Sequence, residues 1–209
     1  MIISNEFYNS WKMPPKAATE ILQSTIRSNG RMRKYLEGSV VKAEDIKGKI
    51  ISVESGNLIL KLDDGFVVAH ANNGFIIGSL ELYSIYSISV MESAIIYECE
   101  SDVINLSDEN EISNAAHKYL TWVMSCLSVR MYILASTDAY LKIKFTLEWL
   151  NYSPAIYKES ITLIKFICDR TRLSKAHVHM VLKQLKEGGY IEVNNGYLIE
   201  IVKKIPDKF

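Results

Sequence analysis

Residues 170–183 combine basic, hydroxyl and imidazole side chains in a pattern suited to contacting a nucleic acid. Ser174 is a candidate N-cap for a helix that we expect to end at Gly188-Gly189, because glycine adopts the left-handed conformation of a helix end at little cost. Apolar residues recur at helical spacing within this helix: Val178, Val181, Leu182 and Leu185. The chemistry that this pattern predicts is recognition of DNA by one face of a helix.

A second, shorter apolar-periodic segment spans residues 161–167, directly ahead of the basic turn. Two short helices joined by a tight turn, with a polar outer face on the second, form a helix-turn-helix whose second helix enters the DNA major groove. After it, Asn194-Asn195-Gly196 separates two β-prone runs, 190–193 and 197–202, which predicts the hairpin of a winged helix. The alternative is a helix-turn-helix that packs against another protein.

The predicted contacts with double-stranded DNA divide into two groups. Phosphate contacts are assigned to Arg170, Arg172, Ser174 and Lys183. The residues on or near the base-facing surface are Lys175, Ala176, His177, His179 and Met180. The charge distribution agrees with this assignment, because residues 155–209 hold ten Lys and Arg against six Asp and Glu, whereas residues 1–154 hold 14 against 18.

A long helical pattern follows Asp108 and continues for about 28 residues. Apolar residues step along it by four and three, as in a coiled coil, and form an apolar seam made of Leu120, Met124, Leu127, Met131 and Leu134. A second apolar stripe lies beside this seam, so the helix needs two partners. We predict that the seam pairs with a second copy of the chain in a homodimer, the alternative being a helix buried on both faces within one monomer.

The N-terminal half is predicted to form a helix followed by short strands. Pro14-Pro15 predicts a helix over 16–28, and β-prone runs separated by Gly and Asn turns, such as 49–54 and 58–62 around Ser55-Gly56-Asn57, predict about eight antiparallel strands. Ser136-Thr137-Asp138 predicts a break before a helix at 139–150. The fold class is therefore α+β, with a jelly-roll-like β-roll and N-terminal helix (1–108), a long dimerisation helix (109–137) and a C-terminal winged helix-turn-helix (138–209).

Several functional classes are not expected. We find no signal peptide, and the apolar window 75–97 is interrupted by charges, so no membrane partner is predicted. Cys99, Cys126 and Cys168 are widely spaced, which favours a reducing cytoplasm and buried, inert thiols. The four histidines lack metal-ligand spacing. No catalytic residues, metal or cofactor are predicted, and no enzyme fingerprint is present.

The order of roll, long helix, break and winged helix-turn-helix resembles the cAMP receptor protein/FNR superfamily of bacterial transcription regulators. The segment 74–82 is similar to that family's Gly-x-x-x-Gly-Glu-Leu stretch, and 173–183 to its recognition helix. The stretches 170–174 and 190–196 resemble the IprA (YaiV) branch, which is named for inhibition of hydrogen peroxide resistance. The resemblance implies transcription regulation linked to oxidative stress, with RNA polymerase as a further partner.

Departures from the family change the expected chemistry. Where the family's cyclic-nucleotide binders carry a Glu that grips the ribose, this chain has Ser79, and where they carry an Arg-Ser-Ala that grips the phosphate, it has Glu92-Ser93-Ala94. Because a carboxylate repels a phosphate, we predict a degenerate nucleotide site that binds no cAMP. An iron-sulfur cluster is bound by four cysteine ligands and the chain has three cysteines, so FNR-type oxygen sensing is not expected. Another ligand or thiol oxidation stays an alternative signal, and a dimeric module that controls a partner protein without touching DNA stays an alternative function.

Overall fold

A computed structural model describes residues 14–78, 86–105, 110–153 and 155–208. Ser79, on which part of the nucleotide-site prediction rests, lies outside the described residues. The chain divides into two units, Met1–Cys126 and Leu127–Phe209. No helix in the described ranges is both long and apolar enough to cross a membrane.

Helix α1 (Lys16–Asn29) begins directly after Pro15 and ends at Gly30, which confirms the predicted helix. Leu22 and Ile26 are buried on the face that packs on the sheet. Gly30 is needed at the end of the helix, because a Cβ there would lie 2.4 Å from the carbonyl oxygen of Ile26. Pro15 and Gly30 therefore bound this helix, as the sequence predicts.

The sheet of the first unit is antiparallel throughout. Its strands are β1 (Arg31–Tyr35), β2 (Val40–Val41), β3 (Lys49–Lys61), β4 (Val67–Ala71), β5 (Ile76–Gly78) and β6 (Ser87–Glu100), with a 3-10 helix at Ala43–Ile46. Strands β3 and β6 pair along their length; β1 and β5 flank one half of this pair, and β2 and β4 flank the other. Because buried side chains from both halves form one core, the long pair is folded over on itself as an antiparallel roll.

The predicted turn at Ser55-Gly56-Asn57 is wrong. These residues lie inside the single strand β3, where the register with β6 shifts on either side of Gly56. A Cβ on Gly56 would lie 2.6 Å from the Cα of Ala94, and its φ of 89° also favours glycine. The glycine therefore allows β6 to approach at a bulge instead of reversing the chain. Two predicted strands are therefore one, and the described residues contain six strands in the roll where about eight were expected.

Two helices follow the roll, the short α2 (Asp102–Asn105) and the 26-residue α3 (Asn110–Ala135), which is the predicted long helix. In the first unit α3 packs on α1 and β5 through Ala115 and Tyr119. The Tyr119 hydroxyl accepts a hydrogen bond from the Ile76 N–H (2.8 Å) and donates one to the Ile76 carbonyl (3.0 Å). Burial raises the pKa of Tyr119 to about 12, so the phenol stays protonated and both bonds persist at neutral pH.

The described residues of the second unit contain the end of α3, the predicted break, four further helices and a hairpin. Asp138 accepts a hydrogen bond from the Leu141 N–H (3.1 Å) and caps α4, which confirms the predicted start of that helix. The elements are α4 (Ala139–Tyr152), α5 (Ala155–Ser160), α6 (Leu163–Thr171), α7 (Lys175–Glu187), β7 (Ile191–Asn194) and β8 (Tyr197–Ile201). Leu147, Leu150 and Phe166 are fully buried in the core that joins these elements. The helix α5 was not predicted.

Candidate nucleic-acid interface

The turn between α6 and α7 is tightly specified. Arg172 ends α6 in the left-handed region, with φ of 59°, and its N–H donates to the Cys168 carbonyl at 3.0 Å. The Leu173 N–H donates to the Thr171 hydroxyl at 3.3 Å. Ser174 then caps α7 by accepting from the His177 N–H at 3.3 Å. A left-handed conformation is uncommon for a residue other than glycine, so Arg172 is held in it by the surrounding bonds.

Helix α7 has one buried face and one exposed face, as its periodicity predicts. Val178, Val181, Leu182 and Leu185 are the buried residues. Most of the predicted contact residues are exposed together on the turn and on the outer face: Arg172, Ser174, Lys175, Ala176, His179, Met180 and Lys183. His177 is half-buried, and Met180 keeps 50% of its surface exposed. The structure therefore brings seven of the nine predicted residues together on one exposed helix face and its preceding turn.

Arg170 does not belong to this surface, which corrects the prediction that it holds a phosphate. Only 3% of the residue is exposed. Its guanidinium lies 3.6 Å from the ring centre of Phe166 and 5.3 Å from that of Trp149, and Nη1 donates to the Phe166 carbonyl at 3.1 Å. Burial, followed by the nearby charge of Arg130, lowers the pKa of Arg170 to about 9. The side chain joins α4 to α6 inside the core.

The sequence contains a signal that would have identified this role. Leu163, Phe166, Ile167 and Arg170 follow the spacing of one helix face, and the first three are fully buried. An arginine at the fourth position of such a stripe belongs to the interior side of the helix. Arg170 and Arg172 are close in sequence but face in different directions, so they do not form one basic cluster.

The apolar seam on α3 is exposed along most of its length. Leu120, Met124, Leu127 and Met131 retain 60%, 61%, 43% and 65% of their surface, and Leu134 is half-buried. In contrast, Tyr119 and Ile133 of the neighbouring stripe are 5% and 2% exposed. A continuous row of large apolar side chains in contact with water is unfavourable, so this face of the helix is suited to contact with a partner.

Two of the residues assigned to the degenerate nucleotide site, Glu92 and Ser93, lie in the middle of β6, next to the bulge at Gly56. Both Glu92 and Ser93 are exposed. The Glu92 carboxylate accepts a hydrogen bond from the side-chain amide of Asn57, and the Ser93 hydroxyl accepts one from the Glu37 N–H at 3.2 Å. This position of the sheet therefore presents a carboxylate that is held by a neutral amide.

The three cysteines are free thiols in settings that disfavour the thiolate. Burial raises the pKa of Cys99, and the acidic residues Glu100 and Asp102 raise it further. Burial also raises the pKa of Cys126 to about 12 and that of Cys168 above its usual range. Because the thiolate is the reactive form, the raised pKa values disfavour reaction of these thiols with peroxide. Within the described ranges, no group of three or more His, Cys, Asp or Glu side chains is placed to hold a metal ion.

Comparison with known proteins agrees with this architecture. Residues 139–207 match the family described as winged helix-turn-helix DNA binding. The chain is 26% identical to the inhibitor of hydrogen peroxide resistance from Salmonella typhimurium, in an alignment that covers 98% of this chain and 96% of that protein. Solved structures with the same fold include the following two. A CooA variant from Carboxydothermus hydrogenoformans (TM-score 0.69, 15% identity, 86% of each chain) is one. The other is a CRP/FNR-family transcriptional regulator from Thermus thermophilus (TM-score 0.62, 14% identity, 82% of this chain and 94% of that one).

Proposed function

We propose that the chain, which shares the fold of CRP/FNR-type regulators, is a member of the cAMP receptor protein/FNR superfamily and acts as a homodimeric, sequence-specific DNA-binding transcription regulator. The observation that carries the proposal is the two-sided character of α7. One face is buried in the core of a winged helix-turn-helix, and the other exposes Lys175, His179 and Met180 next to a turn that carries Arg172. A helix of this kind has the shape and charge to enter a major groove.

The exposed residues divide by chemistry into positioning and reading groups. Arg172, Ser174 and Lys183 hold phosphates and set the register, because cations and hydroxyl groups bind phosphate oxygens without regard to sequence. Lys175 and His177 reach base edges, whereas Ala176 and Met180 favour apolar contact with thymine methyl groups. The operator of this protein is therefore expected to differ from the operators of regulators that carry charged residues at the positions of Ala176 and Met180.

The homodimer is supported by the exposed apolar seam on α3. Its residues repeat with the coiled-coil spacing of four and three, and a second copy of the same helix offers a matching surface. A two-fold dimer of helix-turn-helix subunits binds two half-sites that are related by symmetry and lie about one helical turn, ~34 Å, apart. The operator is accordingly expected to be palindromic.

Selection of bound sequences from a random DNA library tests DNA recognition by α7, the symmetry of the dimer and the spacing of the half-sites together. We expect a palindrome with two half-sites about 10 base pairs apart, bound less tightly as the salt concentration rises. Because the Salmonella relative is named for hydrogen peroxide resistance, we also expect matching sites upstream of genes for peroxide defence. Recovery of no enriched sequence, or binding that salt leaves unchanged, contradicts the proposal.

The same regulator is proposed not to bind cAMP. The phosphate of a cyclic nucleotide placed at β6 would meet the Glu92 carboxylate, which offers repulsion in place of the bidentate hydrogen bonds of an arginine. Losing those bonds and adding a negative charge each weaken binding by roughly a hundredfold. Calorimetric titration of the protein with cAMP up to about 1 mM is expected to give no saturable heat. A dissociation constant in the micromolar range would show that this account of Glu92 is wrong.

A further inference from the structure

The hairpin at residues 191–201, here called the wing, has a short tip that is attached to α6. Asn195 and Gly196 have φ angles of 49° and 85°, so β7 and β8 are joined by a tight two-residue turn. The Gly196 carbonyl accepts a hydrogen bond from the Leu163 N–H at 2.8 Å, and a Cβ on Gly196 would lie 3.7 Å from the Thr162 methyl group. The tip of the wing therefore lies at the N-terminal end of α6.

This attachment places the tip at the opposite end of α6 from the predicted phosphate contacts Arg172 and Ser174. Helix α6 runs from Leu163 to Thr171 and is about 13 Å long. Arg172, Ser174 and Lys175 follow its C-terminal end. The two-residue turn is too short to extend along α6 and reach the DNA backbone that Arg172 and Ser174 are predicted to contact.

The charge of the wing provides a separate argument. Residues 191–201 contain two charged side chains, Glu192 and Glu200, and no Lys, Arg or His. The two glutamates are directly opposite each other in the β-ladder, and both are exposed. Like charges in directly opposed positions destabilise a hairpin, and carboxylates beside a DNA backbone would be repelled by its phosphates.

We propose that the wing braces α6 and stays off the DNA, so that each subunit reads DNA only with α7 and the turn at 172–174. This inference rests on the proposed DNA-binding function. It implies few phosphate contacts, because the exposed cations among the predicted contact residues are Arg172, Lys175 and Lys183. For a dimer that uses these three residues twice, the logarithm of the affinity should fall with the logarithm of the salt concentration with a slope of about −5.

The substitution Glu200→Lys distinguishes a wing that contacts the DNA from a wing that stays off it. It replaces a repulsive cross-strand pair by an attractive one, and we expect the Tm to rise by about 3 °C at low salt. If the wing stays off the DNA, the affinity for the selected operator changes by no more than about twofold relative to the unchanged protein. The slope of the logarithm of affinity against the logarithm of salt concentration changes by no more than about 0.5. The substitution Lys175→Gln serves as a matched control, for which we expect a weaker affinity and a shallower salt slope.

The outcomes distinguish the two proposals. A tenfold or greater rise in operator affinity for Glu200→Lys, with a steeper salt slope, overturns the inference and leaves the proposed function intact. Absence of operator binding by the unchanged protein overturns the proposed function and the inference with it. An increased Tm with an unchanged affinity, measured on a protein for which Lys175→Gln weakens binding, supports both.

Discussion

A protein that carries Met124→Glu and Met131→Glu is expected to be a folded monomer that binds its operator at least about a hundredfold more weakly than the unchanged chain. Both methionines are more than 60% exposed, so the substitutions remove little core packing and the Tm should change little. In a paired seam, however, each glutamate would meet its counterpart on the partner helix and lose its solvation. Sedimentation gives the mass, and a mobility-shift titration gives the affinity.

The same helix offers a matched control. Ser125 and Tyr132 each follow one of these methionines by a single position, are exposed, and lie off the seam. The double substitution to glutamate at these two positions adds the same charge at nearly the same distance from the helix ends. We expect this control to remain a dimer with nearly unchanged operator affinity. If both double variants stay dimeric, the dimer uses a surface other than the seam.

Helix ends were predictable from sequence because the interactions that set them are local. The Ser174 cap of α7 and the Asp138 cap of α4 each depend on a hydrogen bond to a residue three positions away. Hydrophobic periodicity likewise identified the buried face of α7 and the exposed seam of α3. These features need no knowledge of which segments meet in space.

The features that the sequence predicted wrongly or did not predict involve residues whose environment is set by distant parts of the chain. Ser55-Gly56-Asn57 resembles a turn, and only the approach of Ala94 on β6 makes it a bulge. Arg170 resembles part of a basic cluster, and its buried position depends on Trp149 of another helix as well as on Phe166. The double hydrogen bond between Tyr119 and Ile76 has no local signal in the sequence. Charge and turn propensity were overridden in these cases by tertiary packing.

A protein that carries Arg172→Glu and Lys175→Glu is expected to lose specific operator binding by a factor of at least about a thousand. The change replaces two cations by two anions in each subunit, at positions that are exposed beside the N-terminus of α7. Folding should be preserved, because neither side chain is buried and a glutamate at 172 bears the same backbone strain, at φ of 59°, as the arginine. A mobility-shift titration measures the loss, and circular dichroism checks the fold.

This substitution also separates DNA recognition from the alternative of a module that controls a partner protein without touching DNA, because such a module would keep its cellular function after the change. Lys186→Glu with Lys204→Glu is the control, since it alters the net charge equally at exposed positions, one of them about 16 Å along α7 from Lys175. A local contact predicts a large loss for the first pair and a small one for the second. Equal losses would mean that the overall charge governs binding, and an intact regulatory effect for the first pair would contradict recognition through α7.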